Sequence, residues 1–370
     1  MLGFFNFLSI VFVTQHLLLM ISLLFACIII TVATIILLNL IKKNRLHNLQ
    51  EEIKKNIADL ICEIAICETP EELDEVYQQP QFQAHLKKYL QTHFERTVLI
   101  KELAETCKKI SGNAESNIQW LFKKTGLEKD LLRQLKRKHW SDKAEAIQHL
   151  AALKQNNNLR KIFYYTNHAN LLVRMEAQVA VVNLTGFKGL RFLNVISHPI
   201  TPWQQLELLN ELSQQTPDEF EKLGNWLQSE NESVRDFSLR LTGIYQRYEQ
   251  YDAVVANLFH SSNLICRQAL KTISKIYNEE TAPLLISLFP KYEKNEQLLI
   301  VNILKDIGSE NDLPFLKTIL SHPDNEYKLA ASKTIYFISA VEFDNATMDF
   351  DQTSFPWEII IPQIKTELAR

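Results

Sequence analysis

One helical pattern returns about every thirty-one residues, and that return constrains the fold of this chain more than any other feature. It is plainest at Leu264-Ile265-Cys266-Arg267-Gln268-Ala269-Leu270-Lys271-Thr272-Ile273. A basic residue is followed by apolar or small side chains three, six and seven positions later, which draws one stripe along an α-helix. Taking that basic or polar residue as the anchor, the series runs Lys143, Arg174, Gln205, Arg235, Arg267, Gln297 and Lys328, in steps of 31, 31, 30, 32, 30 and 31. Three positions after each anchor stand Ala146, Ala177, Leu208, Ser238, Leu270, Ile300 and Ala331. Gln205 and Glu211 make the third member the weakest match. A second apolar helix precedes each anchor, as at Phe220-Leu223-Trp226-Leu227, Leu284-Leu285-Leu288-Phe289 and Phe315-Leu316-Ile319-Leu320. Each unit is therefore a helical hairpin. One hairpin cannot bury two apolar faces alone, so the units must stack.

The stretch Leu320-Ser321-His322-Pro323-Asp324-Asn325-Glu326-Tyr327-Lys328-Leu329-Ala330-Ala331 resembles the HEAT-like repeat. So do Leu171-Leu172-Val173-Arg174-Met175-Glu176-Ala177 and Ser233-Val234-Arg235, and the short period is similar to the compact PBS-lyase HEAT-like version. The resemblance covers roughly residues 127–341. It implies an all-α protein, a right-handed α/α superhelix of about seven helical hairpins. In that family the anchor commonly bridges neighbouring repeats through an acidic residue. The resemblance thus implies inter-repeat contacts for Arg174, Arg235, Arg267 and Lys328, with a partner-facing basic ridge as the alternative.

Residues 1–41 contain no Asp, Glu, Lys or Arg, and 17–41 is an apolar run of bilayer-spanning length. Lys42, Lys43 and Arg45 follow at once. A cleaved signal would carry its charge before a shorter core. A transmembrane helix is expected, single-pass in the inner membrane, with everything after Lys42 cytoplasmic. Gly3 to Val13 is too short to cross by itself, and Phe4, Phe5, Phe7 and Phe12 suit the interface. The five scattered cysteines form no CxxC pair and read as free thiols in a reducing compartment.

From Leu46 through Leu49, Ile53, Ile57, Leu60, Ile64 and Cys67, steps of three and four predict that the membrane helix continues as a stalk. Its seam packs on the chain's own domain or pairs in a homodimer. Thr69-Pro70-Glu71-Glu72 predicts a fresh helix start. Further on, Lys123, Lys124, Lys129, Arg133, Lys136, Arg137 and Lys138 face only Glu128 and Asp130. This excess is either a solvated face or a contact for anionic lipid or an acidic partner.

His168, His198, His260 and His322 each lie six or seven residues before an anchor. Stacked helices stand about 8–10 Å apart, too far for these residues to converge on one metal ion, so a structural role is expected. No phosphate loop, GxGxxG or HExxH occurs, and Asp349-Phe350-Asp351 lacks the glycine of a calcium loop. No catalytic, cofactor-binding or metal residue is assigned. Residues 342–370, with Phe343, Phe350, Phe355 and Trp357, leave the repeat pattern and read as a cap or a docking tail.

The expected organisation is an apolar segment 1–16, a transmembrane helix 17–41, a stalk region 42–126, repeats 127–341 and a C-terminal cap or tail 342–370. With its apolar segment, the chain resembles bacterial membrane-anchored HEAT-repeat proteins. The function this implies is a membrane-tethered scaffold for a protein partner, such as an envelope-synthesis glycosyltransferase. The HEAT-like lyases and DNA glycosylases supply an enzymatic alternative. Against nucleic acid stands the charge balance, 40 Lys and Arg to 43 Asp and Glu. A dimeric structural or sensory membrane protein is the third reading.

Overall fold

The computed structural model describes residues 2–215, 222–348 and 350–368, with backbone alone at 2–19, 21 and 368. Phe220, Asp349 and the side chains of Phe4, Phe5, Phe7 and Phe12 lie outside the described residues. All regular elements among the described residues are helices. The chain packs as two units, residues 1–156 and 157–370.

The first unit is built on one continuous helix, Leu2–Ala65, about 96 Å long at the α-helical rise. Its charge-free stretch is long and apolar enough to cross a membrane, and that window buries nothing against the protein. Two of its polar side chains are satisfied within the helix: Thr31 Oγ1 donates to the Cys27 carbonyl and Thr34 Oγ1 to the Ile30 carbonyl, both at 2.7 Å. Leu46 and Leu49 remain exposed, but Ile53, Ile57, Leu60, Ile61 and Ile64 are buried. They pack against helices His93–Cys107 and Asn113–Lys124, so the stalk seam is part of this unit's core. Asn117 Nδ2 donates to the carbonyls of Ile64 (3.1 Å) and Cys67 (2.8 Å) and closes the end of the long helix. Thr69 caps the next helix, Pro70–Gln78, by accepting from the Glu72 N–H. Gly112 turns the chain at φ +74°, where a side chain would be strained. The first repeat hairpin, Glu128–Leu135 with Trp140–Ala152, also belongs to this unit, so the repeat series crosses the division.

Among the described residues, the second unit holds six hairpins. Their second helices are Leu171–Thr185, Pro202–Ser213, Glu232–Ile244, Asn263–Ile273, Lys294–Ile307 and Asn325–Ile338. Leu171–Thr185 packs on Pro202–Ser213, the last four pack each on the next, Gln205 bonds Pro202–Ser213 to Asp236 of Glu232–Ile244, and one apolar core runs through the stack from Val182 to Ile364. The first helices are short. In one hairpin the partner is a 3-10 stretch, Gly186–Asn194, lying close against Leu171–Thr185. Polar side chains tie repeat to repeat inside the core. Thr272 Oγ1 donates to the Leu239 carbonyl at 2.9 Å, and Thr334 Oγ1 to the Val301 carbonyl at 3.0 Å. Both bonds span 33 residues and recur two repeats apart. Beyond the last hairpin, helices Ala340–Thr347 and Trp357–Leu368 bury Phe343, Trp357, Ile360, Ile361 and Ile364 over its end. Phe350 stacks on Trp357 at 4.4 Å between centroids. Phe355 stays exposed.

Candidate functional site

The turn inside each hairpin is built by a recurring set of bonds. Six residues before the anchor, or seven where the anchor is Arg267, a side chain accepts the backbone N–H two positions on. His168 Nδ1 accepts from Asn170, Ser229 Oγ from Asn231, His260 Nδ1 from Ser262, and His322 Nδ1 from Asp324, at 3.0–3.2 Å. Asn170, Asn231 and Asp324 then cap the second helix through their own side chains. His198 differs: its carbonyl accepts from Asn231 Nδ2. The side chains of His168, His260 and His322 thus shape turns, and no group of three or more His, Cys, Asp or Glu that could hold a metal ion occurs among the described residues.

The anchor closes the same turn from the other side. Arg174 Nη1 donates to the His168 carbonyl at 2.6 Å, Arg235 Nε to the Ser229 carbonyl at 3.0 Å, and Lys143 Nζ to the Arg137 carbonyl. In the fifth repeat this bond comes from Cys266 Sγ, to the His260 carbonyl at 2.9 Å. The turn-closing residue there is thus Cys266, and Arg267 lies one position past it. Burial raises the Cys266 thiol pKa above its usual range, which suits a structural thiol. Arg267 instead reaches the next repeat, where Nε (3.0 Å) and Nη2 (2.6 Å) both contact Oε1 of buried Glu296. Gln205 makes the equivalent forward contact, donating to buried Asp236 at 2.9 Å. Arg235 also touches the next repeat, at Asn257 Oδ1. Arg174 is buried, and its desolvation depresses its pKa. Lys328 is half-buried and has no ion-pair partner among the described residues. The four do not converge on one point.

The basic stretch lies in the first unit, and all seven of its cations are exposed. Lys124 sits 3.7 Å from Asp74 and over the rings of Tyr77 and Trp120. Arg133 pairs with Asp130, and Arg137 with Asp142 and His93. Lys123, Lys129, Lys136 and Lys138 have no ion-pair partner among the described residues.

The apolar signal that sequence reading passed over is on the second helices. Trp203 is 62% exposed and Leu206 57%, one turn apart on Pro202–Ser213. Leu172, exposed 31 residues before Trp203, holds the same place on the preceding helix. Those two helices are pinned side by side by Gln204 Nε2 donating to Gln178 Oε1 at 3.2 Å, with both residues buried. A Pro-Trp pair at a first helical turn was the available clue.

No family model matches the chain, and no curated protein matches it. Solved structures do. A Kap121p mutant is similar over 85% of this chain and 40% of its own, with TM-score 0.51 and 12% identity. The fold is a HEAT-like helical repeat. An engineered protein (TM-score 0.35, 15% identity, 71% of this chain and 80% of that one) and importin beta (0.32, 12%, 88% and 45%) also align. At 12% identity the likeness to the Kap121p mutant shows the fold and does not extend to activity or partner.

Proposed function

We propose that the chain is a membrane-tethered scaffold that grips a protein segment on the exposed face of its second helices. The observation that carries this reading is the patch of Trp203, Leu206 and Leu172. A large exposed aromatic with aliphatic neighbours on rigid, mutually pinned helices is the composition of an interface anchor. The tether is the apolar part of Leu2–Ala65. Lys42, Lys43 and Arg45 support an inner-membrane, single-pass topology with the repeats in the cytoplasm. Tethering raises the local concentration of the binding face for membrane partners. The unpaired Lys123, Lys129, Lys136 and Lys138 supplement it as contacts for anionic headgroups or an acidic partner. The sequence resemblance makes an envelope-synthesis enzyme such as a glycosyltransferase the first partner to test.

The test is fractionation followed by site-specific crosslinking. The chain is expected to stay with membranes through alkaline carbonate and to leave them in detergent. A photo-crosslinker at position 203 is expected to join it to one protein, and Leu206→Ala to reduce that adduct strongly. Release by carbonate would remove the tether. No adduct from 203, with adducts elsewhere, would remove the binding face.

A further inference from the structure

One joint in the second unit differs from the others. Pro202–Ser213 and Glu232–Ile244 pack less closely on each other than any other two neighbouring second helices of this unit. The bond that bridges them is polar. Gln205 Nε2 donates to Asp236 Oδ2 at 2.9 Å, and Arg240 Nε donates to the same oxygen at 3.1 Å. Gln205 is 3% exposed and Asp236 5%. Their other oxygens, Gln205 Oε1 and Asp236 Oδ1, are buried and have no hydrogen-bond partner among the described residues. Two acceptors are thus withdrawn from water with no bond to offset the loss. The joints on either side are closed more fully. Before it, Gln204 Nε2 donates to Gln178 Oε1, Gln178 Nε2 donates to the Thr166 carbonyl, and Gln204 Oε1 accepts from the Thr201 N–H. After it, Thr272 Oγ1 donates to the Leu239 carbonyl, and Gly243 lets the helices approach: a Cβ there would lie 3.6 Å from Thr272 Cα.

Away from the second helices the same joint is well tied. Trp226 Nε1, on the first helix of the fourth hairpin, donates to Asn194 Oδ1 of the preceding 3-10 stretch at 2.7 Å. At the turns, the Ile200 N–H donates to Ser233 Oγ at 2.8 Å and Asn231 Nδ2 to the His198 carbonyl at 3.4 Å. At the other end of the 3-10 stretch, the rings of Phe187 and Tyr245 meet edge to face with centroids 5.1 Å apart. Leu190, Leu193, Leu223, Trp226 and Leu227 are all buried in the shared core. One side of the joint is held by apolar packing and satisfied bonds, and the other by one polar pair.

We infer that this joint is a hinge: Pro202–Ser213 and Glu232–Ile244 part from each other about the tied side, and the open state hydrates Gln205 and Asp236. Opening exchanges one bond for water at every polar atom of the pair, including the two that have no partner when the joint is closed, so it costs little. Asp236 keeps Arg240, its neighbour on the same helix, in both states. Opening either adjoining joint would break satisfied bonds with no such return. A hinge in a stack of rigid elements sits where few residues absorb the change, and here the pair that lets go is Gln205 and Asp236. Trp203 and Leu206 ride on Pro202–Ser213, so the hinge sets where that exposed face lies relative to the four later hairpins.

The test is a distance distribution by double electron–electron resonance on the full chain in phosphatidylcholine nanodiscs, with the exposed thiols Cys27 and Cys62 replaced by serine. Spin labels at Asn210 and Lys271, both exposed, span the joint. Labels at Lys271 and Glu326, also exposed, span two later joints and are the control. The first pair is expected to give a broader or two-peaked distribution than the control. Gln205→Leu together with Asp236→Leu replaces the polar bridge by an apolar one and is expected to narrow the first distribution to the width of the control. Asp236→Asn offers Gln205 Oε1 a donor and is expected to narrow it in part. Circular dichroism and the control pair show that each variant keeps the fold, and Asp236→Asn carries the test where the double variant does not fold. Equal widths for the two pairs in the unsubstituted chain overturn the inference. So does a first distribution that Asp236→Asn and the double variant leave unchanged. The distances are read without a partner, so this inference and the scaffold reading fail separately.

Discussion

His149 shows how one residue couples the first unit to pH. It is 6% exposed, and its Nδ1 has no hydrogen-bond partner among the described residues. Burial is the first cause that lowers its pKa, with Lys108 and Lys101 acting the same way and Glu145 and Glu105 opposing. The folded pKa therefore lies below the unfolded value of about 6.5. As pH falls through about 6.5, the unfolded chain takes up a proton that the folded chain resists, so stability falls with acidification. Urea unfolding at pH 7, 6 and 5 is expected to show this loss, at most about 1.4 kcal/mol per pH unit for one proton. His149→Leu is expected to flatten that slope, and an unchanged slope would assign it to other groups. At this scale the turn histidines were legible from their fixed offset before the anchor. The Cys266–Arg267 exchange was not. A thiol and a guanidinium both donate to a turn carbonyl, and a reading that looks for a basic residue slides one position to Arg267.

Among the elements, the 3-10 stretch Gly186–Asn194 is the departure from a regular hairpin, and Gly189 is why it fits. A Cβ there would lie 2.7 Å from the Val181 carbonyl oxygen and 2.8 Å from Val182 Cα. Both atoms are backbone of the helix beneath and cannot rotate away. Gly189→Ala is expected to destabilise the second unit by about 1–3 kcal/mol, the range for overpacking. Differential scanning calorimetry would show it as a fall of about 2–4 °C per kcal/mol for a domain of this size. Gly112→Ala is the comparison, because nothing lies within 4 Å of its Cβ and only the positive φ opposes it. An equal or larger loss there would mean that the close approach at Gly189 costs no more than a positive φ alone. The second helices were legible because their stripes repeat at 31 residues. An earlier hairpin, Pro80–Tyr89 with His93–Cys107, uses the same turn bond, from Arg96 Nη1 to the Leu90 carbonyl at 3.0 Å. It escaped the series because 47 residues separate Arg96 from Lys143, so periodicity does not join them.

At the scale of the whole chain, one helix serves two environments, and the division between them falls within its length. From Ser22 to Ile41 its side chains are mostly apolar and exposed, whereas from Ile53 to Ile64 one face is buried against the first unit. Ile57 and Ile64 have no exposed surface, and Leu60 has 2%. Among the described side chains, removing the part before Lys42 takes away exposed apolar surface and no buried residue. Removing the helix through Ala65 uncovers the apolar faces of His93–Cys107 and Asn113–Lys124, where Leu99, Leu103, Ile118 and Leu121 are buried. Each large side chain lost from such a core costs about 2–5 kcal/mol, and five leave together. That sum exceeds the usual stability of a domain, about 5–15 kcal/mol, at all but its lowest values. Residues 42–370 are therefore expected to purify without detergent as a helical species with cooperative thermal unfolding. Residues 66–370 are expected to aggregate or to lose the cooperative transition of the first unit while the second unit keeps its own. Size-exclusion chromatography and calorimetry of the two chains distinguish these outcomes. A well-behaved 66–370 chain with both transitions intact would show that the long helix is a tether alone, with no part in the fold it carries.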